Sequence, residues 1–309
     1  KKPTAHKLME KASSLFENLY KCIRQTALSD PYKAADETYY KILVPEKNSK
    51  GKGVRKGYLW VVVGINTRMI YLLYDDGSWS ERVILNELGG CKGIIQSDGY
   101  SPYRKLESDA YPNITRIPCL QHIKRKFIDC GEKDPDAKRI VELINALYQN
   151  EHKHKVGVEG WTVEQNLMHR KKYAPDILGE IKDVLDEIEE RGDLLPKSEL
   201  QEAITYLRNE WNAVVDIFNY GDTYLDNNMV ERMNRYISLS RKNSLFFGSH
   251  KGAERGAILY TIALTCRMHK VNLFEYLTDV INRTAEWQPN TPIEKYRELL
   301  PDRWEKAND

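Results

Sequence analysis

The sequence predicts an α/β fold, a mixed five-stranded sheet flanked by helices, with an all-helical insertion. Three observations carry this reading. β-Branched and aromatic runs follow one another closely between residues 32 and 74. Strand and helix patterns then alternate until a helical stretch opens near Leu120, and helical periodicity continues almost unbroken from Asp136 to about Tyr220.

The elements follow in order. From His6 to about Leu28 apolar residues recur at helical spacing (Leu8, Ala12, Leu15, Phe16, Leu19, Tyr20, Ile23), and Ser29-Asp30-Pro31 stops the helix. The chain opens abruptly on this helix, so an upstream segment is expected to be missing or disordered. Tyr32 to Val44 reads as a strand carrying Asp36, and the Gly- and Lys-rich stretch Gly51 to Gly57 reads as a turn. Tyr58 to Ile65 and Met69 to Tyr74 are strongly β-forming, with Asn66-Thr67-Arg68 turning between them. A helix is expected over Ser80 to Leu88, a short buried strand over Lys92 to Ser97 ending at Asp98, a helix near Pro102 to Ser108, a strand near Ile114 to Pro118, and a long helix from about Leu120.

Beyond Asp136, helical patterns run through Ile140 to Leu147, Ile177 to Ile188 and Leu200 to Phe218, with one polar interruption from Glu151 to Gly160. Further helices are expected after Asp226, over Gly256 to Met268 and over Leu273 to Ile281, and the Pro- and charge-rich tail after Trp287 is expected to wrap the surface. The order β-β-β-α-β-α-β-α is that of the ribonuclease H-like fold.

Composition narrows the class. Of 309 residues, 41% are hydrophobic and 30% charged, which suits a globular chain with a real core. There is no apolar run long enough to span a bilayer, and Lys1 to Glu10 lack the apolar region of a signal peptide, so a cytoplasmic protein without a membrane partner is expected. The five cysteines are spread out and never form a CxxC pair, which excludes a disulfide framework and a four-cysteine zinc site and leaves reduced thiols. The net charge of +2 does not announce a phosphate-rich partner, so any nucleic-acid surface rests on local clusters. Two exist: Lys124-Arg125-Lys126, and the stretch holding Arg232, Arg235, Arg241, Lys242, Lys251 and Arg255, opposed there by Glu254. Alone, each is as readily a solvated face as a DNA contact.

Three carboxylates are candidates for chemistry. Asp36 sits mid-strand, Asp98 sits at a strand end before Gly99, and Glu231 lies early in a helix. Carboxylates at the centres and ends of neighbouring strands can converge, and hard divalent ions take oxygen ligands of this kind. Each also has a plain structural reading. Asp36 could be a solubilising charge on an edge strand, Asp98 a turn former and Glu231 a solvated helix residue, while Asp226 looks like a helix N-cap. Asp75, Asp76 and Asp109 look just as available, and spacing does not separate them. Cys119-Leu120-Gln121-His122 has the spacing of half a zinc site, but its partners would have to come from His152, His154 or His169, so zinc is not expected. A structural or substrate-facing role for His122 near the metals fits better.

Read in order, Ala35-Asp36-Glu37-Thr38, Gln96-Ser97-Asp98-Gly99-Tyr100, Cys119 to Phe127, Asp226-Asn227-Asn228 with Glu231-Arg232 and Arg235, Arg241 to Ser249 and Gly252 to Arg255 resemble the transposases of the insertion sequence 66 family. Leu299-Leu300-Pro301 with Trp304 closes the chain in the family's manner. The resemblance implies a DDE-type active site on a ribonuclease H-like core, with the acids at Asp36, Asp98 and Glu231 and a helical insertion between the second and third. It implies Mg²⁺ or Mn²⁺ as cofactor, two ions per site, and DNA (transposon ends and target) as partner of a homo-oligomer in a prokaryotic, nucleoid-associated setting. Phosphate contacts are expected from Lys124, Arg125, Lys126, Arg232, Arg235, Arg241, Lys242, Asn243, Lys251 and Arg255, and His122 is expected to neighbour the site.

On this reading residues 1–30 are an N-terminal helix, 31–135 and 221–285 the two parts of the catalytic core, 136–220 the insertion and 286–309 a tail. There are departures: Ala34 stands where the family often has His, and Ser244 where it often has Trp. The family's N-terminal DNA- and metal-binding segments are not in this sequence, so recognition of transposon ends is expected to be weakened. Two rival functions stay open: a ribonuclease H-like nuclease that cuts without joining, and a non-catalytic DNA-binding derivative.

Overall fold

The computed structural model describes residues 7, 11, 13–47, 51, 53–131, 134–153, 156, 160–288 and 290–305. Its strands are β1 (Tyr32–Leu43), β2 (Val54–Gly64), β3 (Ile70–Leu73), β4 (Gly93–Ser97) and β5 (Ile114–Pro118). Its helices are α1 (Glu17–Ser29), α2 (Glu81–Leu88), α3 (Ser101–Arg104), α4 (Leu120–Asp129), α5 (Pro135–Lys153), α6 (Val163–Arg191), α7 (Glu199–Ile217), α8 (Asn228–Asn243), α9 (His250–Met268), α10 (Leu273–Thr284) and α11 (Ile293–Tyr296). The strands form one five-stranded sheet in the order β3-β2-β1-β4-β5, with β1 antiparallel to β2 and β2 antiparallel to β3. The chain divides into two compact units, one of residues 1–95, 108–114 and 228–309, the other of residues 96–107 and 115–227.

In the first unit, β1 alternates in the manner of a strand with two differing faces: Ala34, Asp36, Thr38, Tyr40 and Ile42 on one, Ala35, Glu37, Tyr39 and Lys41 on the other. Its register with β2 pairs Asp36 with Val61, Tyr39 with Tyr58 and Leu43 with Val54. Pairing therefore carries β2 back to Val54, through residues whose Gly and Lys content had marked them as a turn. Gly57 serves packing rather than turning, because a Cβ there would meet Ile42 Cδ1 at 2.3 Å.

Helix α1 packs on β2 and β3 and buries Leu19, Cys22, Ile23 and Ala27. Its expected beginning at His6, with Leu8 and Ala12, lies outside the described residues. Asp30, which follows the helix, accepts the backbone N–H of Tyr32 at 2.9 Å and of Thr67 at 2.7 Å, so the stop signal is also a polar joint. The free edge of the short strand β3 is covered by α9. Thr261 Oγ1 accepts from Leu72 N at 2.9 Å and Thr265 Oγ1 donates to Ile70 O at 2.9 Å, which satisfies an edge that would otherwise pair with another chain. Helix α9 starts earlier than its apolar pattern, since Ser249 caps it by accepting from Gly252 N at 3.1 Å. The tail does more than wrap the surface: Tyr296, Leu299 and Leu300 are buried, and Tyr276 donates to Leu299 O at 2.7 Å.

Gly93 is held at φ +91°, and a Cβ on it would meet Pro31 O at 2.2 Å. Gly93→Ala is expected to cost about 2 kcal/mol, through left-handed strain and a backbone clash. Urea midpoints check this against Gly90→Ala, where an added Cβ meets nothing within 4 Å. Equal midpoints for the two variants would refute it.

In the second unit, the long helix expected from Leu120 is split. α4 ends at Asp129, and Asp134 opens α5 by accepting from Asp136 N at 3.1 Å and Ala137 N at 2.9 Å. Helix α6 begins at Val163, well before Ile177, because Thr162 and Gln165 form a capping box and polar Asn166 and Arg170 anchor its first half in the interior. Pro175 lies inside it and interrupts the hydrogen-bond ladder without ending the helix. The polar interruption also starts later than its composition suggested: α5 runs on to Lys153, and Glu151 is buried.

All five cysteines are free; Cys22, Cys91, Cys119 and Cys266 are buried, and Cys130 is half-buried. Burial, followed by the carboxylates of Asp134 and Glu199, pushes the Cys130 thiol up to about 11. A thiol reagent at mildly alkaline pH is therefore expected to modify Cys130 alone and slowly in the native chain, and the other cysteines only on unfolding. Rapid native modification of several thiols would contradict this packing.

Candidate active site

Asp36 is half-buried on β1, the central strand of the sheet, which removes the edge-strand explanation for its charge. Its Oδ1 accepts from Glu37 N at 2.9 Å, and its Oδ2 accepts from the Asn234 side-chain amide on α8. Two further contacts tie this helix to the same strand. Arg241 donates to the Tyr39 carbonyl, and Tyr40 donates its hydroxyl to the Ser244 carbonyl. Strand and helix therefore advance in the same direction: Asp36 to Tyr39 is ~10 Å of strand, and Asn234 to Arg241 is ~10 Å of helix.

Glu231 lies one turn before Asn234 on the same side of α8, half-buried, in the first turn where a negative charge suits the helix dipole. The structure thus brings Asp36 together with the helix that carries Glu231. Asn227, rather than Asp226, directly precedes the first helical residue, Asn228. Asn234 was not singled out by the sequence. An amide in the polar texture of α8 gave no signal until the strand beneath it was known. It is 8% exposed, and its Oδ1 is buried with no hydrogen-bond donor among the described residues.

The rival acids are placed differently. Asp75, Asp76 and Asp109 are exposed outside the strands and helices, and Asp76 pairs with His250 at 2.7 Å. The basic block divides as well. Arg232, Arg235, Lys242, Asn243 and Lys251 are exposed, whereas Arg241 and Arg255 are half-buried. Phe247 is bound to β1 on both sides of its peptide: its N–H donates to Lys41 O at 2.8 Å, its carbonyl accepts from Leu43 N at 2.9 Å, and its ring lies 4.2 Å from that of Tyr40.

Asp98 belongs to the second unit, directly after β4. Its Oδ1 accepts from Tyr100 N at 3.1 Å, and its carbonyl accepts from Arg116 Nη1 at 3.1 Å and Ser97 Oγ at 2.9 Å. Arg116 is wholly buried and paired with Glu107 and Glu210. Burial works against its charge, but the two carboxylates offset this and hold the guanidinium protonated. Gly99 is needed less for a sharp turn than for close approach. Its N–H donates to Tyr206 Oη at 2.8 Å, and a Cβ would meet that oxygen at 2.5 Å. Burial first, then the Asp98 carboxylate, pushes the Tyr206 phenol well up.

Cys119 precedes α4, and its Sγ accepts from Asn227 N at 3.2 Å and lies within 4.8 Å of a ring nitrogen of half-buried His122. Of the histidines considered as zinc partners, His169 sits in an aromatic cluster with Trp161 and Tyr173, and His154 lies outside the described residues. Arg125 and Lys126 are exposed, while half-buried Lys124 lies 5.8 Å over the Tyr148 ring.

The family described as "Transposase IS66 family" matches residues 1–255. The chain belongs to the IS66 family of transposases. All three acids lie within the matched residues, whereas the Leu299-Leu300-Pro301 ending lies beyond them. Relatives of this IS66 member include three uncharacterized proteins of Sinorhizobium fredii. y4jD is 28% identical over 234 residues, covering 74% of this chain and 44% of its own length. y4hP is 29% identical over 238 residues (72% and 41%), and y4qI is 28% identical over 275 residues (84% and 49%). The chain thus spans less than half the length of these relatives. Among the described residues, no helix is long and apolar enough to cross a membrane.

Proposed function

We propose that this IS66 member is a DDE-type transposase that cuts and joins DNA with Asp36, Asp98 and Glu231 as its three acids. The observation that carries the reading is the grip of α8 on the central strand, which sets Glu231 one helical turn from the amide that holds Asp36. The strand order, with the Asp36 strand central beside an antiparallel pair, supports a ribonuclease H-like core into which residues 136–220 are inserted.

The donor set fits a divalent cation such as Mg²⁺ or Mn²⁺: hard carboxylate oxygens, with the buried Asn234 Oδ1 left needing a positive partner. Asp36, Asp98 and Glu231 would hold two such ions, which when bound activate the attacking oxygen and offset charge on the scissile phosphate. In the cutting reaction a water oxygen bonds to phosphorus, the bond to the 3′-oxygen breaks, and the departing oxygen takes a proton to become a 3′-hydroxyl. In joining, that hydroxyl attacks a target phosphodiester, so one P–O bond replaces another.

Arg232, Arg235, Arg241, Lys242, Asn243, Lys251 and Arg255, with Lys124, Arg125 and Lys126, would neutralise backbone phosphates and set register without reading sequence. His122 neighbours the site. The working form is a homo-oligomer on paired ends, in the cytoplasm with the nucleoid.

A pre-cleaved transposon end offered with a plasmid target and Mn²⁺ tests the proposal. Joined products support it, and nicking without joining makes the chain a nuclease. DNA binding indifferent to metal and to Glu231→Ala makes it a non-catalytic binder.

A further inference from the structure

We propose that the sheet face opposite Asp36 carries a stacking surface for unpaired DNA bases. On that face two cross-strand rows lie side by side, Tyr39 opposite Tyr58 and Lys41 opposite Lys56. The Lys56 ammonium sits 4.4 Å over the Tyr39 ring and 5.0 Å over the Tyr58 ring, and the Arg241 guanidinium sits 4.3 Å over Tyr39. Tyr58 in turn stacks on Trp79, with ring centroids 5.0 Å apart and planes 10° apart. Phe247 bridges to Ile42 with its ring on Tyr40, and its neighbour Phe246 is exposed beside this strand. Trp79 is 46% exposed, Phe246 45% and Tyr39 42%. One row deeper the same face is closed, because Trp60 is fully buried opposite Glu37, the acidic neighbour of the strip.

Large exposed rings interleaved with cations are the recognition chemistry of single-stranded nucleic acid: bases stack on the rings while the cations follow the phosphates. A protein partner fits less well, because the centres of protein interfaces are depleted in lysine. Duplex DNA hides its base faces and would use the cations alone. The inference rests on the reading that DNA is the partner, and it adds that unpaired nucleotides of that DNA are held on the far face of the sheet from Asp36.

Titration with an oligothymidylate of about ten nucleotides, followed by tryptophan emission, tests this. The expected result is quenching that Trp79→Leu removes, with binding weakened about ten-fold by Tyr39→Ala and restored by Tyr39→Phe, and little quenching by a duplex of equal length. Equal oligonucleotide binding by wild type, Trp79→Leu and Tyr39→Ala overturns the proposal. So does loss of self-association, rather than of oligonucleotide binding, in those variants, which would make the strip a contact between copies. Metal-dependent cleavage keeps the two readings apart: cleavage without quenching defeats the stacking surface alone, and quenching without cleavage defeats the assignment of the three acids alone.

Discussion

Asp36→Asn and Glu231→Gln are each expected to lower DNA cleavage about a thousand-fold or more, roughly 4 kcal/mol of barrier, while leaving DNA retention nearly unchanged. The size follows from what is removed. Each substitution keeps shape and hydrogen-bonding capacity but deletes one negative charge from the set proposed to hold divalent cations. Retention is expected to survive because the proposed phosphate contacts rest on the exposed arginines and lysines. Asn234→Leu is expected to fall between wild type and the acid variants, with a loss of about ten- to a hundred-fold that added Mn²⁺ partly restores. Asn234 orients the Asp36 carboxylate rather than replacing it, and partners of that kind have losses of this order. Asp75→Asn and Asp109→Asn, both at exposed positions outside the strands and helices, are expected to cleave like wild type. Single-turnover cleavage on a labelled end separates these outcomes. Full activity in Glu231→Gln would remove the helix acid from the site, and equal losses in Asp75→Asn would show that the strand position of Asp36 has no special standing.

What could be read in advance followed from periodicity and order. The five strands and the helix carrying Glu231 were legible because β-branched runs and helical spacing are local properties. Asp36 could be placed on a strand, but whether that strand is central or an edge depends on long-range pairing, and only this pairing removes the edge-strand reading of its charge. Val54 to Gly57 failed as a turn because cross-strand register overrode the local preference of glycine and lysine. The start of α6 was missed because its anchors, Asn166 and Arg170, are polar residues whose burial no hydropathy pattern announces. The Asn234 contact with Asp36 and the Tyr39–Trp79 strip are invisible for another reason: each is made by residues apart in sequence meeting on one strand.

Arg170 sets the other large expectation, this one for stability. Its side chain is wholly buried and every donor is used. Nε donates to Glu151 Oε2 at 3.0 Å, and Nη2 donates to Glu151 Oε1 and, at 2.6 Å, to the Thr223 carbonyl. Nη1 reaches the Ile217 carbonyl at 3.2 Å, the Tyr220 carbonyl, and Thr223 Oγ1 at 2.7 Å. Tyr173 gives Glu151 one more donor at 2.8 Å. One guanidinium therefore ties α5, α6 and the chain after α7 together, and it does so through hydrogen bonds that an ammonium cannot reproduce. Arg170→Met would leave a buried carboxylate with Tyr173 as its remaining donor in this network, and would take the guanidinium donor from the Tyr220 and Thr223 carbonyls. The expected cost is about 3–5 kcal/mol, a fall of roughly 10 °C in the melting of the helical unit. Arg170→Lys should recover little of it. Pairing Arg170→Met with Glu151→Gln should cost less than the two single losses added, since the second change removes the charge that the first left unpaired. Additive losses would mean that the arginine acts through the carbonyls alone, and a melting temperature close to wild type for Arg170→Met would mean that water reaches this centre and the hub holds nothing together.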